Sequence, residues 1–224
     1  MVNNVLVIGD LHAPFIKKGY LEHCKKVYKQ YKCNKVVFIG DVLDNHYSSY
    51  HETIPDGLSA GDELKAAFYK LKDWVKAFPK AVVIMGNHDR IIARKAITTG
   101  LSKHWIKNMG EILDAPGWEF YTEYEFDNVL YVHGEGCSNL QLSTLNRYKS
   151  MVIGHFHYKA EIVFTASSID ILFGMAVGSG IDDKSYAMEY AKFYTKKSII
   201  SCGVVLNNGT LPMIIPMTLN KNKK

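Results

Sequence analysis

No apolar run in the 224-residue sequence approaches the ~18 residues needed to cross a bilayer, and no basic segment followed by an apolar core opens it. Neither a membrane-spanning protein nor a secretory leader is therefore expected, and no membrane partner is. The four cysteines, Cys24, Cys33, Cys137 and Cys202, are scattered and form no Cys-x-x-Cys pair. Such spacing argues against a thiolate zinc site or a disulfide framework, and for reduced thiols in a cytoplasmic protein. There is no linker rich in Gly, Ser or Pro, no low-complexity block and no internal repeat. One domain over residues 1–218, followed by a basic tail at 219–224, is the simplest organisation. Charge imbalance is weak as well. The net charge is +5, and Lys221, Lys223 and Lys224 account for three of it, leaving +2 elsewhere. A solubilising tail explains that basicity better than a nucleic-acid surface does.

What is present is ordinary globular composition, 47% hydrophobic and 22% charged, long enough to bury a sizeable core. The first half alternates short continuous apolar runs ("NVLVIG", "KVVFIG", "AVVIMG") with helical stripes. Continuous runs mark strands covered on both faces. Tyr20, Cys24, Val27 and Tyr31 share one helix face, and Leu64, Phe68, Leu71, Trp74, Val75 and Phe78 share another that Pro79 ends. A less regular helical stretch is expected over 90–110. The second half turns to strands: "FYTEYEF", "VLYVHG" after the turn residues Asp127 and Asn128, "SMVIGH", "AEIVFTA", "SIDILFGMAV", and a hairpin about Asn208-Gly209, with a helix over 183–194. The pattern predicts an α/β (α+β) fold: two packed sheets with helices on the outer faces.

The strand ends carry the chemistry. "VLVIGDLH" delivers Asp10 and His12, "VVFIGDVLD" Asp41 and Asp44, "VVIMGNHD" Asn87, His88 and Asp89, "VLYVHG" His133, and "MVIGHFH" His155 and His157. Ligands bind outside the carboxyl ends of strands in open α/β sheets, where the loops diverge. Carboxylate, amide and imidazole without thiolate form a hard-to-borderline donor set suited to Mn, Fe, Zn or Mg. Seven candidate ligands, Asp10, His12, Asp41, Asn87, His133, His155 and His157, are too many for one tetrahedral ion. Two ions sharing a carboxylate would use them, the arrangement that clamps both oxygens of an in-line displacement.

The ordered blocks "GDLH", "GDVLD", "GNHD", "VHG" and "GHFH" resemble the calcineurin-like metallophosphoesterase superfamily, over residues 9–157. The resemblance implies a two-sheet β-sandwich flanked by α-helices, with the metal site at the C-terminal ends of the strands. It implies Asp10, His12 and His157 on one ion, Asn87, His133 and His155 on the other, and Asp41 bridging. It places His88 toward the phosphate or leaving group, Asp89 orienting His88, and Asp44 hydrogen-bonded behind a ligand. Asn45, followed by His46, stands where the family often has Arg, which argues against close kinship with the Ser/Thr protein phosphatases. Arg90, next to Asp89, is the basic residue most readily placed near phosphate.

These residues lead to the expectation of a binuclear phosphoesterase with two divalent ions, Mn first and Fe, Zn, Co, Ni or Mg compatible. It would work by in-line attack of a metal-bridging hydroxide, with His88 as acid. A phosphodiester substrate (nucleic acid or nucleotide-type) is favoured; the alternatives are a phosphomonoesterase acting on nucleotides or phosphoproteins and, remotely, a metal-bound scaffold without turnover. His23, His46, His51, His104 and Cys137 are assigned ordinary surface, loop or structural roles.

Overall fold

The computed structural model describes residues 2–50, 53–166, 168–186, 188 and 195–218. His51, the tail at 219–224 and most of the expected helix over 183–194 lie outside the described residues. The strands form two mixed sheets. The first contains, in spatial order, β11 (Leu211–Pro216), β10 (Ser201–Leu206), β1 (Val5–Ile8), β2 (Lys35–Phe38), β3 (Ala81–Ile84) and β4 (Trp118–Tyr121). The second contains β5 (Glu123–Phe126), β6 (Val129–Val132), β7 (Ser150–Ile153), β9 (Ile171–Val177) and β8 (Ala160–Ala166).

Side-chain alternation explains the layers. Val5, Val7, Val37, Ile39, Val82 and Ile84 point inward onto Val129, Tyr131, Val152, Met175 and Val177 of the second sheet. Their neighbours Leu6, Ile8, Val36, Phe38 and Val83 point outward, under α1 (Tyr20–Gln30) and α2 (Ala60–Ala77), where Tyr20, Cys24, Leu71 and Trp74 meet them. Leu130, Val132, Met151 and Ile153 form a third cluster with Leu140 of α5 (Leu140–Arg147) on the other outer face. Because the inner strands β1, β2, β3, β6 and β7 are buried on both faces, each reads as a nearly continuous apolar run. Tyr20 braces the end of β1: its hydroxyl donates to the Ser201 carbonyl at 2.6 Å and accepts from the Gly9 N–H at 3.1 Å.

One expected strand divides, the irregular helical stretch resolves into pieces, and one helix is added. "FYTEYEF" is two strands: β4 pairs with β3 at one sheet's edge and β5 pairs with β6 at the other's, and the chain steps between sheets at Thr122. Residues 90–110 break into α3 (Ile91–Thr98), a 3-10 turn at Lys103–Trp105 and the start of α4 (Met109–Leu113). Gly100, with φ of 74°, turns the chain after α3, and the Asn108 side chain caps α4. Helix α5 was not anticipated, although Asn139 caps it and Leu140 and Thr144 share its buried face. The hairpins hold: Asp127 and Asn128 form a two-residue turn with φ of 51° and 58°, and β10 pairs antiparallel with β11 across Asn208 and Gly209.

Candidate metal centre

Parallel pairing decides where the site lies. β1, β2 and β3 run in one direction within the first sheet, and β6 and β7 run parallel to each other in the second. Parallel neighbours end at the same edge, so the loops after β1, β2 and β3 meet those after β6 and β7. Those loops carry all seven candidate ligands. His12, Asp41, Asn45 and His155 sit in the left-handed region, with φ of 48°, 49°, 53° and 66°. Asp, Asn and His tolerate this region better than most residues, and such strain is characteristic of sites where function sets the geometry.

Two groups of donor atoms converge. In the first, His12 Nε2 faces His157 Nε2 at 3.0 Å, Asp10 Oδ2 lies 3.3 Å from His157 Nε2, and Asp41 Oδ2 lies 3.7 Å from His12 Nε2. In the second, His133 Nε2 is 3.1 Å from Asp41 Oδ2 and 3.0 Å from Asn87 Oδ1, which is also 3.0 Å from His155 Nδ1. Asp41 Oδ2 therefore faces both. Asp10, His12 and Asp41 are essentially buried, while Asn87, His88, His155 and His157 are half-buried on the open side.

The residues behind the donors orient them. His12 Nδ1–H donates to Asp44 Oδ1 at 2.6 Å, and His133 Nδ1–H donates to the Ile39 carbonyl at 3.0 Å. Each bond assigns a proton to Nδ1 and leaves Nε2 as the ring atom facing the cluster. The carboxylates are tethered by backbone: Asp10 Oδ2 accepts from the His155 N–H, and Asp41 Oδ1 from the His88 N–H, both at 2.8 Å. Glycine is required where the loops touch. A Cβ on Gly86 would overlap the Asp41 carboxylate, and one on Gly154 would overlap Asp10 Oδ1 and Ile39.

The charge balance is that of a cation site. Burial alone would raise the Asp41 carboxyl, but the imidazoles of His133, His88 and His12 hold it well below the ordinary range. Burial opposes charge on His133, but Asp41 outweighs it and drives its pKa up to about 10. Burial lowers His12 and His155. Asp10 Oδ1 is buried without a hydrogen-bond partner, which is costly unless a cation completes it. The converging N and O donors, the orphaned oxygen and the fixed tautomers all fit divalent ions. Asp10, His12, His157 and Asp41 could hold one, and Asp41, Asn87, His133 and His155 the other.

Two expectations change with the geometry. Asp89 does not orient the His88 ring: its buried carboxylate accepts from the N–H groups of Leu43, Gly86 and Val42, at 2.9, 3.0 and 3.3 Å, and so ties two site loops together. Burial, then the Asp41 charge, pushes its pKa up to about 6. His88 Nδ1 instead donates to the Asp44 carbonyl at 2.5 Å, and Asn45 Nδ2 donates to the His88 carbonyl at 3.0 Å. Burial opposes charge on His88, but Asp41 and Asp44 raise its pKa above the usual value. Arg90 is engaged elsewhere: it pairs with Glu135, and its Nε donates to the Gly86 carbonyl at 3.0 Å.

Two supporting residues escaped the sequence reading. Buried Glu63 accepts from the N–H groups of His46, at 2.8 Å, and Tyr47, at 3.1 Å, and anchors the loop after Asn45. Nothing local distinguishes it from other acidic residues in the first turn of a helix. Glu135 follows the His133 block closely, but its pairing with Arg90 crosses between loops. His46 is buried and accepts from the Ile54 N–H at 3.3 Å.

A sandwich of two mixed sheets with carboxylate, amide and imidazole donors at its strand ends defines a metallophosphoesterase-type fold and a metal-binding cluster. The chain belongs to the calcineurin-like phosphoesterase family, whose profile matches residues 4–170. No curated protein matches the sequence. Among solved structures, vacuolar protein sorting 29 from Cryptosporidium parvum is similar at 15% identity and a TM-score of 0.53, covering 99% of this chain and 94% of that one. A metallophosphoesterase from Sphaerobacter thermophilus is similar at 12% identity and a TM-score of 0.51, covering 98% and 90%. At such identities the likeness concerns the fold alone. No described helix is long and apolar enough to cross a membrane.

Proposed function

We propose that this protein is a binuclear metal-dependent phosphodiesterase. The observation that carries the reading is Asp41 Oδ2 facing both donor groups, 3.7 Å from His12 Nε2 and 3.1 Å from His133 Nε2. Two divalent ions, Mn²⁺ by preference, would supply Lewis-acid polarisation of the phosphate and a water of lowered pKa. The protein's own groups supply the rest. Asp41 and Asp10, tethered by backbone N–H groups, hold their carboxylates against the cluster. His88 holds a proton for the leaving oxygen: its Nδ1 is anchored on the Asp44 carbonyl, its pKa is raised, and its ring packs edge-on against His12 with centroids 4.7 Å apart. Such a positioned acid contributes roughly 10²–10⁴-fold. A diester is favoured because Asn87, His88, His155 and His157 are only partly buried, so the cluster opens to solvent on their side.

The test is hydrolysis of bis(p-nitrophenyl) phosphate beside p-nitrophenyl phosphate by chelator-stripped protein with Mn²⁺ restored, and Asp41→Asn as control. Diester cleavage that returns with metal and is lost in the control is expected. Cleavage of the monoester alone would overturn the diester assignment. Two bound ions with no turnover of either ester would replace the enzyme reading with that of a metal-bound scaffold.

A further inference from the structure

We infer that the surface running from the metal-binding cluster across the turn His46–Ser48, helix α3 and the turn Lys103–Trp105 binds a single-stranded polynucleotide, and that such a strand is the diester substrate. As a substrate assignment this rests on the phosphodiesterase reading; as a binding surface it stands alone.

Residues 90–110 contain five basic residues and no Asp or Glu. Beside them three aromatic side chains face solvent: Tyr47 is 55% exposed, Tyr50 56% and Trp105 85%. Rings this exposed forgo most of the burial they normally obtain. Two cations accompany one of them: the Arg94 guanidinium lies 5.1 Å from the Tyr50 ring centre and Lys95 Nζ 5.4 Å from it. Lys95 also donates to the Ser49 carbonyl at 3.3 Å, which pins α3 to the segment carrying Tyr47 and Tyr50.

The pieces are continuous with the site. A cavity of about 720 Å³, largely apolar inside, is lined at its polar edge by Tyr47 and Ser48, by Arg90 before α3, and by Lys107 just after the turn Lys103–Trp105, while Tyr50, Arg94, Lys95 and Trp105 lie outside its wall. Asn45 and Asp89, which neighbour Asp44 and His88 in the chain, stand in its wall. Glu63 also lines it, but its carboxylate is occupied by two backbone N–H groups. Aromatic platforms interleaved with cations are what an unpaired strand needs: bases stack on the rings and phosphates meet the cations. A duplex keeps its bases stacked on each other and cannot use the rings. With Arg90 engaged by Glu135, four of the five remain, and three of them, Arg94, Lys95 and Lys107, stand beside the Tyr50 ring or at the cavity wall. Three phosphates neutralised on a single strand give a log K against log salt slope of about −2.

The experiment is fluorescence anisotropy of dye-labelled (dT)20 with the full chain in EDTA, across a salt series. A labelled 20-base-pair duplex is measured alongside, with polyglutamate as competitor. Trp105→Ala and Tyr50→Ala are each expected to weaken (dT)20 binding by about 10-fold, and Trp105→Phe to restore most of the loss. Arg94→Ala should make the salt slope shallower by about 0.7. Duplex bound as tightly as (dT)20, polyglutamate competing charge for charge, or alanine variants matching wild type would each overturn the inference. The binding arm uses no metal, so the two readings fail separately. Diester hydrolysis without (dT)20 selectivity overturns this surface alone. (dT)20 selectivity without hydrolysis of any diester overturns the phosphodiesterase reading and the substrate assignment with it.

Discussion

Replacing Asp44 by Ala tests the architecture behind the donors. Asp44 is 3% exposed, and its Oδ1 accepts from His12 Nδ1 at 2.6 Å. The variant leaves a buried imidazole N–H without its charged acceptor, while the Asp44 carbonyl that accepts from His88 is backbone and survives. A hydrogen bond to a charged group contributes about 1.5–3 kcal/mol, which corresponds to about 10- to 100-fold in an equilibrium constant. Loss of partners behind metal-ligating histidines falls in the same range, roughly 10–100-fold in affinity. On the two-ion reading proposed above, the effect should fall on the ion assigned to Asp10, His12 and His157 and spare the other. Burial lowers the His12 pKa and Asp44 only partly opposes it, so removing Asp44 lowers it further. Proton competition therefore does not weaken binding, and the loss should persist above neutral pH. Calorimetric titration of Mn²⁺ into chelator-stripped protein is the assay, with Asp44→Asn expected to lie between Ala and wild type. A folded Asp44→Ala protein that binds both ions with wild-type affinity would refute the reasoning.

Four further outcomes follow from the same structure. His88→Ala should retain metal binding and lose about 10²–10⁴-fold in activity on diesters with poor leaving groups, with little loss on nitrophenyl esters; equal losses on both would contradict its role as an acid. Gly154→Ala sets a Cβ against Asp10 Oδ1 and Ile39, and thermal melts should show a cost of about 1–3 kcal/mol accompanied by weaker metal binding. Burial raises the Glu63 carboxyl above its ordinary value of 4.5, against the backbone N–H groups of Tyr47 and His46. A raised folded pKa lends stability that is present below the unfolded value and lost as pH rises through the folded one. The melting-temperature difference between wild type and Glu63→Gln should therefore shift against wild type as pH rises above 4.5, and a flat difference would contradict the shift. Tyr148 ends α5 at φ of 50° and is 83% exposed, so Tyr148→Gly should stabilise by about 1 kcal/mol and raise Tm by about 2–4 °C in a calorimetric scan.

How far the sequence reached depends on the range of the interactions involved. The runs Val5–Ile8, Lys35–Phe38 and Ala81–Ile84 were legible because a strand buried on both faces has no polar alternation, a property of the run itself. The seven donors were legible because each stands within a few residues of such a run, in blocks whose order resembles one family. The turn at Asp127 and Asn128 was local too. What lay beyond the sequence were matters settled by contacts between distant segments. Whether "FYTEYEF" continues or crosses from sheet to sheet depends on which edges β3 and β6 leave open. The family resemblance implied that Asp89 orients His88, but successive side chains in a tight loop point apart, and its carboxylate meets the N–H groups of Val42 and Leu43 instead. Arg90 went to Glu135 and Glu63 to the loop at His46 through loop packing that no spacing encodes. The sequence by itself determined which residues could hold metal and which strands would carry them. The tertiary structure alone decided that Asp41 faces both donor groups and that Arg94 and Lys95 of α3 lie against the ring of Tyr50. Those relations are distances between segments that only the pairing of the sheets brings together.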